Sequence, residues 1–361
     1  MSPRLMWFRF TSCLLVLAAT VEGTARAETA AQIPAPLFVD SHYRGSCDPE
    51  IVWNEAAREW WVFYTARRAT RTRGTYVGTP IGIAASADLT HWRWVGYCSF
   101  DGTAGHADNP DTRWAPGILR DGDAYHMLAT YKDNARGPWG GPGRLVHYLA
   151  PADDLQHGWR RVGAPDLGAP DPIDASLLRV GDELRIYYRL GGNQGLHWAV
   201  SRDGRTWRQR GACPGDVNNS DVHGWRYQEA PYAFRFADAY WLLTDPHDGL
   251  GVYRSDDAIT WRFQGRILKA PGRRDQDNSR ARHPSVAVAG DRAFVVYHVE
   301  PNRPYPTPPP AQRTPAQKQS VLQLAELRVV DGALQCDRDE PIALPVPPPA
   351  SPSSSVETDA D

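Results

Sequence analysis

Long helical periods are missing from this chain. Among 361 residues there are only 3 Met, and apolar residues seldom recur at the three- and four-residue spacing of a buried helix face, which argues against a helical bundle. Charge of one sign is missing too. Forty Lys and Arg against 42 Asp and Glu leave a formal net charge of −2, so the basic surface that phosphate backbones require is not there and no nucleic-acid partner is expected. There is no Walker loop, dinucleotide fingerprint, G-x-S-x-G or H-E-x-x-H motif, which leaves no foothold for the corresponding chemistries. The five cysteines fit no zinc module. What is plentiful is 31 Gly, 31 Pro, 14 Trp and 15 Tyr, and at 42% hydrophobic and 23% charged residues the chain can bury a large core.

The two ends read differently from the middle. Arg4 and Arg9 precede an apolar run from Cys13 to Thr20, followed by Ala25-Arg26-Ala27. That is the layout of a secretory signal over residues 1–27, with an apolar run too short to stay as a membrane anchor. The mature protein is therefore expected in the periplasm or secreted, with no membrane contact after cleavage. From residue 347 to 361 only Pro, Ser, acidic and small residues remain, and a disordered tail is expected. Cys47, Cys98, Cys213 and Cys336 lie in between; two disulfides and four separate buried thiols are both compatible with their spacing.

Residues 28–346 read as one all-β domain. Trp60-Trp61-Val62-Phe63-Tyr64, Leu184-Arg185-Ile186-Tyr187-Tyr188 and Ala293-Phe294-Val295-Val296-Tyr297 are aromatic and β-branched runs bounded by turn residues. The strands recur in a fixed order, punctuated by a Ser-x-Asp-x-x-x-Trp turn at Ser86…Trp92, Ser201…Trp207 and Ser255…Trp261, with a looser version at Ala152…Trp159. The Asp of such a turn can bind the turn's own backbone, and the Trp can pack the hairpin on its neighbour. The first strands carry distinctive residues at 48, 114, 174, 229 and 283, in steps of 66, 60, 55 and 54 residues. A period of this size with about four strands per unit is that of a β-propeller, and five units fit: a five-bladed β-propeller with four antiparallel strands per blade.

First strands line a propeller's axis, so residues far apart in sequence converge there. The five read Cys47-Asp48-Pro49-Glu50, Trp114-Ala115-Pro116-Gly117, Ile173-Asp174-Ala175-Ser176, Gln228-Glu229-Ala230-Pro231 and Arg282-His283-Pro284-Ser285. Three carboxylates and an imidazole at one funnel mouth would shift one another's pKa, as active sites arrange. This ordered set resembles glycoside hydrolase family 43 and its relatives: Asp48-Pro49, Trp114-Ala115-Pro116, Ile173-Asp174-Ala175-Ser176 with Ala in place of Pro, Glu229-Ala230-Pro231 with Ala in place of Gly, and His283 ahead of Ser285-Val286.

The resemblance implies an inverting hydrolase of O-glycosidic bonds. Asp48 would be the base that activates water, Glu229 the acid that protonates the leaving oxygen, and Asp174 the group that raises the pKa of Glu229 and orients it. It implies plant or algal oligo- or polysaccharide as the substrate and partner, and no cofactor for the chemistry. His283 would either hold a water or ion at the axis, where a structural calcium is left open, or make a structural hydrogen bond. An anhydro-galactosidase acting on agar-type oligosaccharides and a sugar-binding propeller without catalysis are the alternatives. Trp114, Trp139 and Trp225 are candidates for stacking on sugar rings or, equally, for the core. Two arginine groups, Arg67, Arg68, Arg71, Arg73 and Arg273, Arg274, Arg280, Arg282, fall on loops of the expected site face, where an acidic sugar could meet them or water could solvate them. Oligomeric state is left open.

Overall fold

The computed structural model describes residues 32–71, 73–102, 111–132, 143–168, 170–191 and 194–349. The signal segment, the tail beyond residue 349 and Trp139 lie outside the described residues. The chain forms five four-stranded antiparallel sheets, each with its strands in sequence order. Blade 1 is β1 (Ser46–Asn54), β2 (Glu59–Ala66), β3 (Ile81–Ser86) and β4 (Arg93–Tyr97). Blade 2 is β5 (Thr112–Asp121), β6 (Ala124–Lys132), β7 (Gly143–Pro151) and β8 (Arg160–Gly163). Blade 3 is β9 (Pro172–Val180), β10 (Glu183–Leu190), β11 (Leu196–Ser201) and β12 (Arg208–Ala212). Blade 4 is β13 (Glu229–Phe236), β14 (Ala239–Asp245), β15 (Leu250–Ser255) and β16 (Arg262–Ile267). Blade 5 is β17 (Arg282–Ala289), β18 (Arg292–Val299), β19 (Val321–Val330) and β20 (Ala333–Gln335). This is the all-β five-bladed propeller expected from the repeat spacing.

The ring closes because each first strand packs on the next, β1 on β5, β5 on β9, β9 on β13, β13 on β17, and β17 back on β1. The segment before β1 adds to the seam: Phe38 pairs with Leu322 and Gly45 with Ser320, so residues of the chain's beginning lie against blade 5. Apolar cores sit between neighbouring blades. Phe63, Ile83, Met127 and Trp159 fill the space between blades 1 and 2, and Tyr187, Trp198, Leu242 and Trp261 that between blades 3 and 4. The Ser-x-Asp turns do what their residues suggest. Asp88 accepts from the amides of Thr90 and His91, Asp203 from those of Arg205 and Thr206, and Asp257 from those of Ile259 and Thr260. Trp159 and Trp261 are fully buried, and Gly215 passes so close to Trp261 that a Cβ there would stand 2.2 Å from its carbonyl oxygen.

The four described cysteines are free thiols, three of them buried. The disulfide alternative therefore finds no counterpart in the structure.

One buried pair makes the fold sensitive to acid. His126 on β6 and His147 on β7 stack with ring centroids 5.1 Å apart and share a 3.0 Å hydrogen bond. Burial lowers both, His147 to about 4, with Arg179 near His126 and Arg205 near His147 adding to the effect and Asp121 opposing it at His126. The sign follows from linkage: both rings are neutral in the fold, while the unfolded chain takes up protons below about pH 6.5. The pair's contribution is intact above that pH and is lost as pH falls towards 4. Urea midpoints of the wild type and of His147→Gln should converge as pH is lowered through that range; parallel curves would count against the assignment.

Candidate active site

All five first strands carry the same irregularity near their start. Asp48, Ala115, Asp174, Ala230 and His283 have φ of +49°, +41°, +54°, +47° and +43°, and in each strand the pairing register shifts across that residue. Each is a β-bulge with a non-glycine residue in the left-handed region, a strain of order 1–3 kcal/mol per site that the surroundings must hold. They hold it through the neighbouring blade. The amide of Asp48 donates to His298 of blade 5, that of Ala115 to Thr65 of blade 1, that of Asp174 to Thr130 of blade 2, and that of His283 to Asp245 of blade 4. In four blades the next residue is Pro49, Pro116, Pro231 or Pro284, which brings no N–H to the crowded axis.

This geometry corrects the equivalence expected from sequence. Asp48, Asp174 and His283 do share one position, but its counterparts in blades 2 and 4 are Ala115 and Ala230. Trp114 and Glu229 stand one residue earlier, at the position of Cys47, Ile173 and Arg282, each paired across to the end of its own second strand. The two alanines leave room at the axis, and Glu229 reaches the cluster from a different register than the other two acids.

His283 is the centre of the cluster. Its Nδ1 lies 3.3 Å from Asp48 and its Nε2 3.1 Å from Glu229. The two carboxylates are thus separated by at most two contacts and the width of one ring, below the ceiling of roughly 9.5 Å that an inverting pair allows. Asp174 joins them, with a carboxylate oxygen within 4.8 Å of the Glu229 and His283 ligand atoms. Glu229 is the most heavily contacted of the three. It accepts from His247 Nε2 at 2.8 Å, from Arg282 at 3.2 Å and from the Tyr227 hydroxyl.

The electrostatics follow from these contacts. Burial alone would push His283 down, but Asp48, Glu229 and Asp174 together raise it to about 10, so the ring is an imidazolium. Burial pushes Asp174 up, to about 7. Burial works in the same direction on Glu229 and is outweighed by His247 and His283, which hold its carboxyl well below its ordinary range. The resting proton therefore sits on Asp174 and His283 rather than on Glu229. Cys47, kept a thiol by burial, points its sulfur at Asp48 from 3.5 Å. Beneath the cluster lies an axial cavity of about 30 Å³ lined by the prolines, Glu50 and Tyr232, room for about one water.

A calcium ion does not suit this cluster. Both nitrogens of His283 are engaged by carboxylates, and calcium asks for six or more oxygens. Among the described residues the two groupings close enough to chelate are Asp174, Glu229, His283 and Glu229, Asp245, His247. Each supplies two acidic residues and an imidazole, and both depend on Glu229.

Other expected site residues land in different settings. Trp114 is half-buried, with its indole N–H on the Tyr76 carbonyl at 3.2 Å and Lys132 over its ring. Arg67 is placed among the sugar-binding groups by its loop, yet its guanidinium lies 2.7 Å from the buried Glu300. Arg282 is engaged by Asp245, Glu229 and Glu300, Arg274 by Asp277, and Arg280 by Asp248. The two arginine groups thus largely answer carboxylates of their own chain. Trp225 is 9% exposed, with His223 stacked on it at 4.5 Å and Arg266 over its ring, and so belongs to the wall more than to a sugar platform.

Sequence reading missed Tyr227, His247 and Arg189. Two of them had a usable signal. The partners of the pre-bulge residues are Thr65, Thr130, Arg189, Asp245 and His298, so the ends of the second strands also reach the axis, and His247 follows Asp245 by two residues. Since His247 holds Glu229 ionised, His247→Gln should move the alkaline limb of the pH–rate profile to higher pH. An unmoved limb would show that His247 does not act on this proton.

The comparisons with known proteins agree with this fold. The family model for glycosyl hydrolases family 43 matches residues 48–310. Among solved structures, a thermostable family-43 glycoside hydrolase shares 19% identity at a TM-score of 0.57, covering 85% of this chain and 97% of its own. A GH43_1 enzyme from Xanthomonas citri, solved with xylotriose, shares 15% at 0.59, covering 84% and 93%. An exo-β-1,3-galactanase from Phanerochaete chrysosporium, solved with β-1,3-galactotriose, shares 13% at 0.58, covering 81% of this chain and 63% of its own. At these identities the structural likeness speaks for the fold. No curated protein matches the chain.

Proposed function

Because the chain belongs to the family 43 glycosyl hydrolases, we propose that it cleaves O-glycosidic bonds by single displacement with Asp48 as base and Glu229 as acid. It is a glycoside hydrolase. The observation that carries the roles is the placement of His283, whose ring touches both carboxylates and sets their separation. Asp48 takes the proton of the attacking water, and Glu229 gives one to the leaving oxygen.

Glu229 rests as a carboxylate, so its proton must be delivered. Asp174, pushed up to about 7 and so protonated in about half the molecules at neutral pH, lies close to the same atoms and is the store that supplies it. A leaving oxygen that displaces the exposed His247 from Glu229 removes the strongest influence keeping that carboxyl ionised. Asp174 therefore serves as a proton reservoir, a role that differs from simply raising its neighbour's pKa.

The substrates to try first are xylosides, arabinofuranosides and galactosides of plant or algal origin, in keeping with the xylosidase and galactanase structures that share the fold. The second-to-third-strand connections of blades 3 and 4 are short, residues 191–195 and 246–249, and few residues are thus available to wall that side, which suits a chain end or a short oligosaccharide. Export to the periplasm or beyond is the reading of residues 1–27. The test is a hydrolysis screen on these sugars with the product followed by proton NMR. Release of the inverted anomer supports the proposal; retention of configuration, or no hydrolysis by a folded protein, overturns it.

A further inference from the structure

We propose that the pocket between blades 3 and 4 seats an anionic group, a carboxylate or sulfate, carried by the sugar next to the bond being cut. The inference rests on the hydrolase reading for its position and on a separate observation for its chemistry. The pocket has a volume of about 350 Å³, the lower range of small-molecule sites. It adjoins the reacting centre because Tyr227 forms part of its wall and donates its hydroxyl to Glu229.

Its charge is one-sided. Arg189 and Arg226 line it, and among the described lining residues there is no carboxylate. Arg226 is exposed and has no hydrogen bond or ion pair among the described residues. Arg189 lies 4.5 Å over the Tyr227 ring and likewise has no carboxylate bound to it. This sets the two apart from Arg67, Arg280, Arg282 and Arg303 at the same mouth, each of which lies on an acid. Two guanidiniums without a carboxylate ion pair among the described residues, Arg189 answered only by the nearby charge of Asp174, are the feature to explain. An anion entering this mouth meets the carboxylates of Asp48 and Glu229, which repel it, unless the guanidiniums take it up first. The guanidinium fork matches the paired oxygens of carboxylate and sulfate. Gln194 on the same wall adds an amide group for neutral hydroxyls, while the amide of Asn218 is taken by the backbone of Leu196 and Cys213.

Arg226 is exposed and makes no hydrogen bond or ion pair among the described residues, so Arg226→Gln should leave the protein folded, which a melting curve checks. Titrations at low salt with galacturonate, galactose 6-sulfate and galactose as probes read the pocket without requiring hydrolysis. The expected result is that one or both anionic sugars bind roughly tenfold or more tighter than galactose. That preference should shrink in Arg226→Gln and with added salt. Which anion gains tells carboxylate from sulfate. Equal binding of all three, or a preference untouched by both Arg226→Gln and Arg189→Gln, overturns the proposal. The two readings fail separately. Anion binding without hydrolysis of any sugar sinks the hydrolase mechanism and leaves the pocket standing, while hydrolysis of neutral sugars without anion preference does the reverse.

Discussion

Glu229→Gln should lose about 10²–10⁴-fold of activity on glycosides with sugar or alkyl leaving groups and far less on dinitrophenyl glycosides. The reason is that a dinitrophenolate departs without being protonated, so only the poorer leaving groups need the acid. Glutamine keeps the shape and the carbonyl oxygen that His247, His283 and Arg282 approach, so the fold around it should survive. Asp48→Asn should behave differently, with a loss of similar size on both kinds of substrate, because water must be activated whatever leaves. Asp174→Asn decides between two assignments. If it feeds protons to Glu229, its loss falls on poor leaving groups less steeply than that of Glu229→Gln, and the pH profile narrows on the alkaline side. If instead Asp174→Asn shows the steep leaving-group pattern and Glu229→Gln does not, Asp174, the carboxyl pushed up to about 7, is the acid itself.

The blade count, the strand order and the residues 48, 174, 229 and 283 were readable because each blade repeats the same local solution. Aromatic strands, Asp-capped turns and a proline after the axial residue are properties of short segments. The bulges were not readable. A bulge adds one residue to one strand, and residue type does not reveal which of Trp114 or Ala115, or of Glu229 or Ala230, carries it. Hence Trp114 and Glu229 were aligned with Asp48, while the backbone places Ala115 and Ala230 there. The fates of Arg67 and Trp225 were hidden for another reason. A charge or an indole in a loop is visible in sequence, but whether it meets a sugar depends on partners over 200 residues away for Arg67, namely Glu300, and on the packing of His223 and Arg266 for Trp225. His247 entered the site through pairing of β13 with β14, a long-range fact. The cysteines make the same point, since an even count does not bring two sulfurs together.

The largest stability loss is expected from Glu300→Gln. Glu300 follows β18, is 5% exposed, and faces three arginines: Arg67 from blade 1 at 2.7 Å, Arg282 from β17 at 3.7 Å, and Arg303. It therefore sits on the seam where blade 5 meets blade 1. Burial would raise its carboxyl, but Arg303, Arg67 and Arg282 hold it far below its ordinary range. A glutamine of the same size leaves those guanidiniums without their counter-charge, at a cost of about 3–5 kcal/mol, read as a lower urea midpoint. The pH dependence has a definite sign. A depressed carboxyl contributes its full stabilisation above the unfolded pKa, roughly 4.3, and loses it as pH falls further. The gap between wild type and Glu300→Gln should thus be wide at pH 7 and narrow in acid. Pairing Glu300→Gln with Arg67→Met should recover part of the loss, since one stranded charge is gone. The same variant bears on catalysis, because Arg282 also touches Glu229. Released from Glu300, its charge acts more strongly on Glu229, and the alkaline limb of the pH–rate profile should move to lower pH, opposite to His247→Gln. A loss of stability with that limb unmoved would mean that the seam network supports the fold alone.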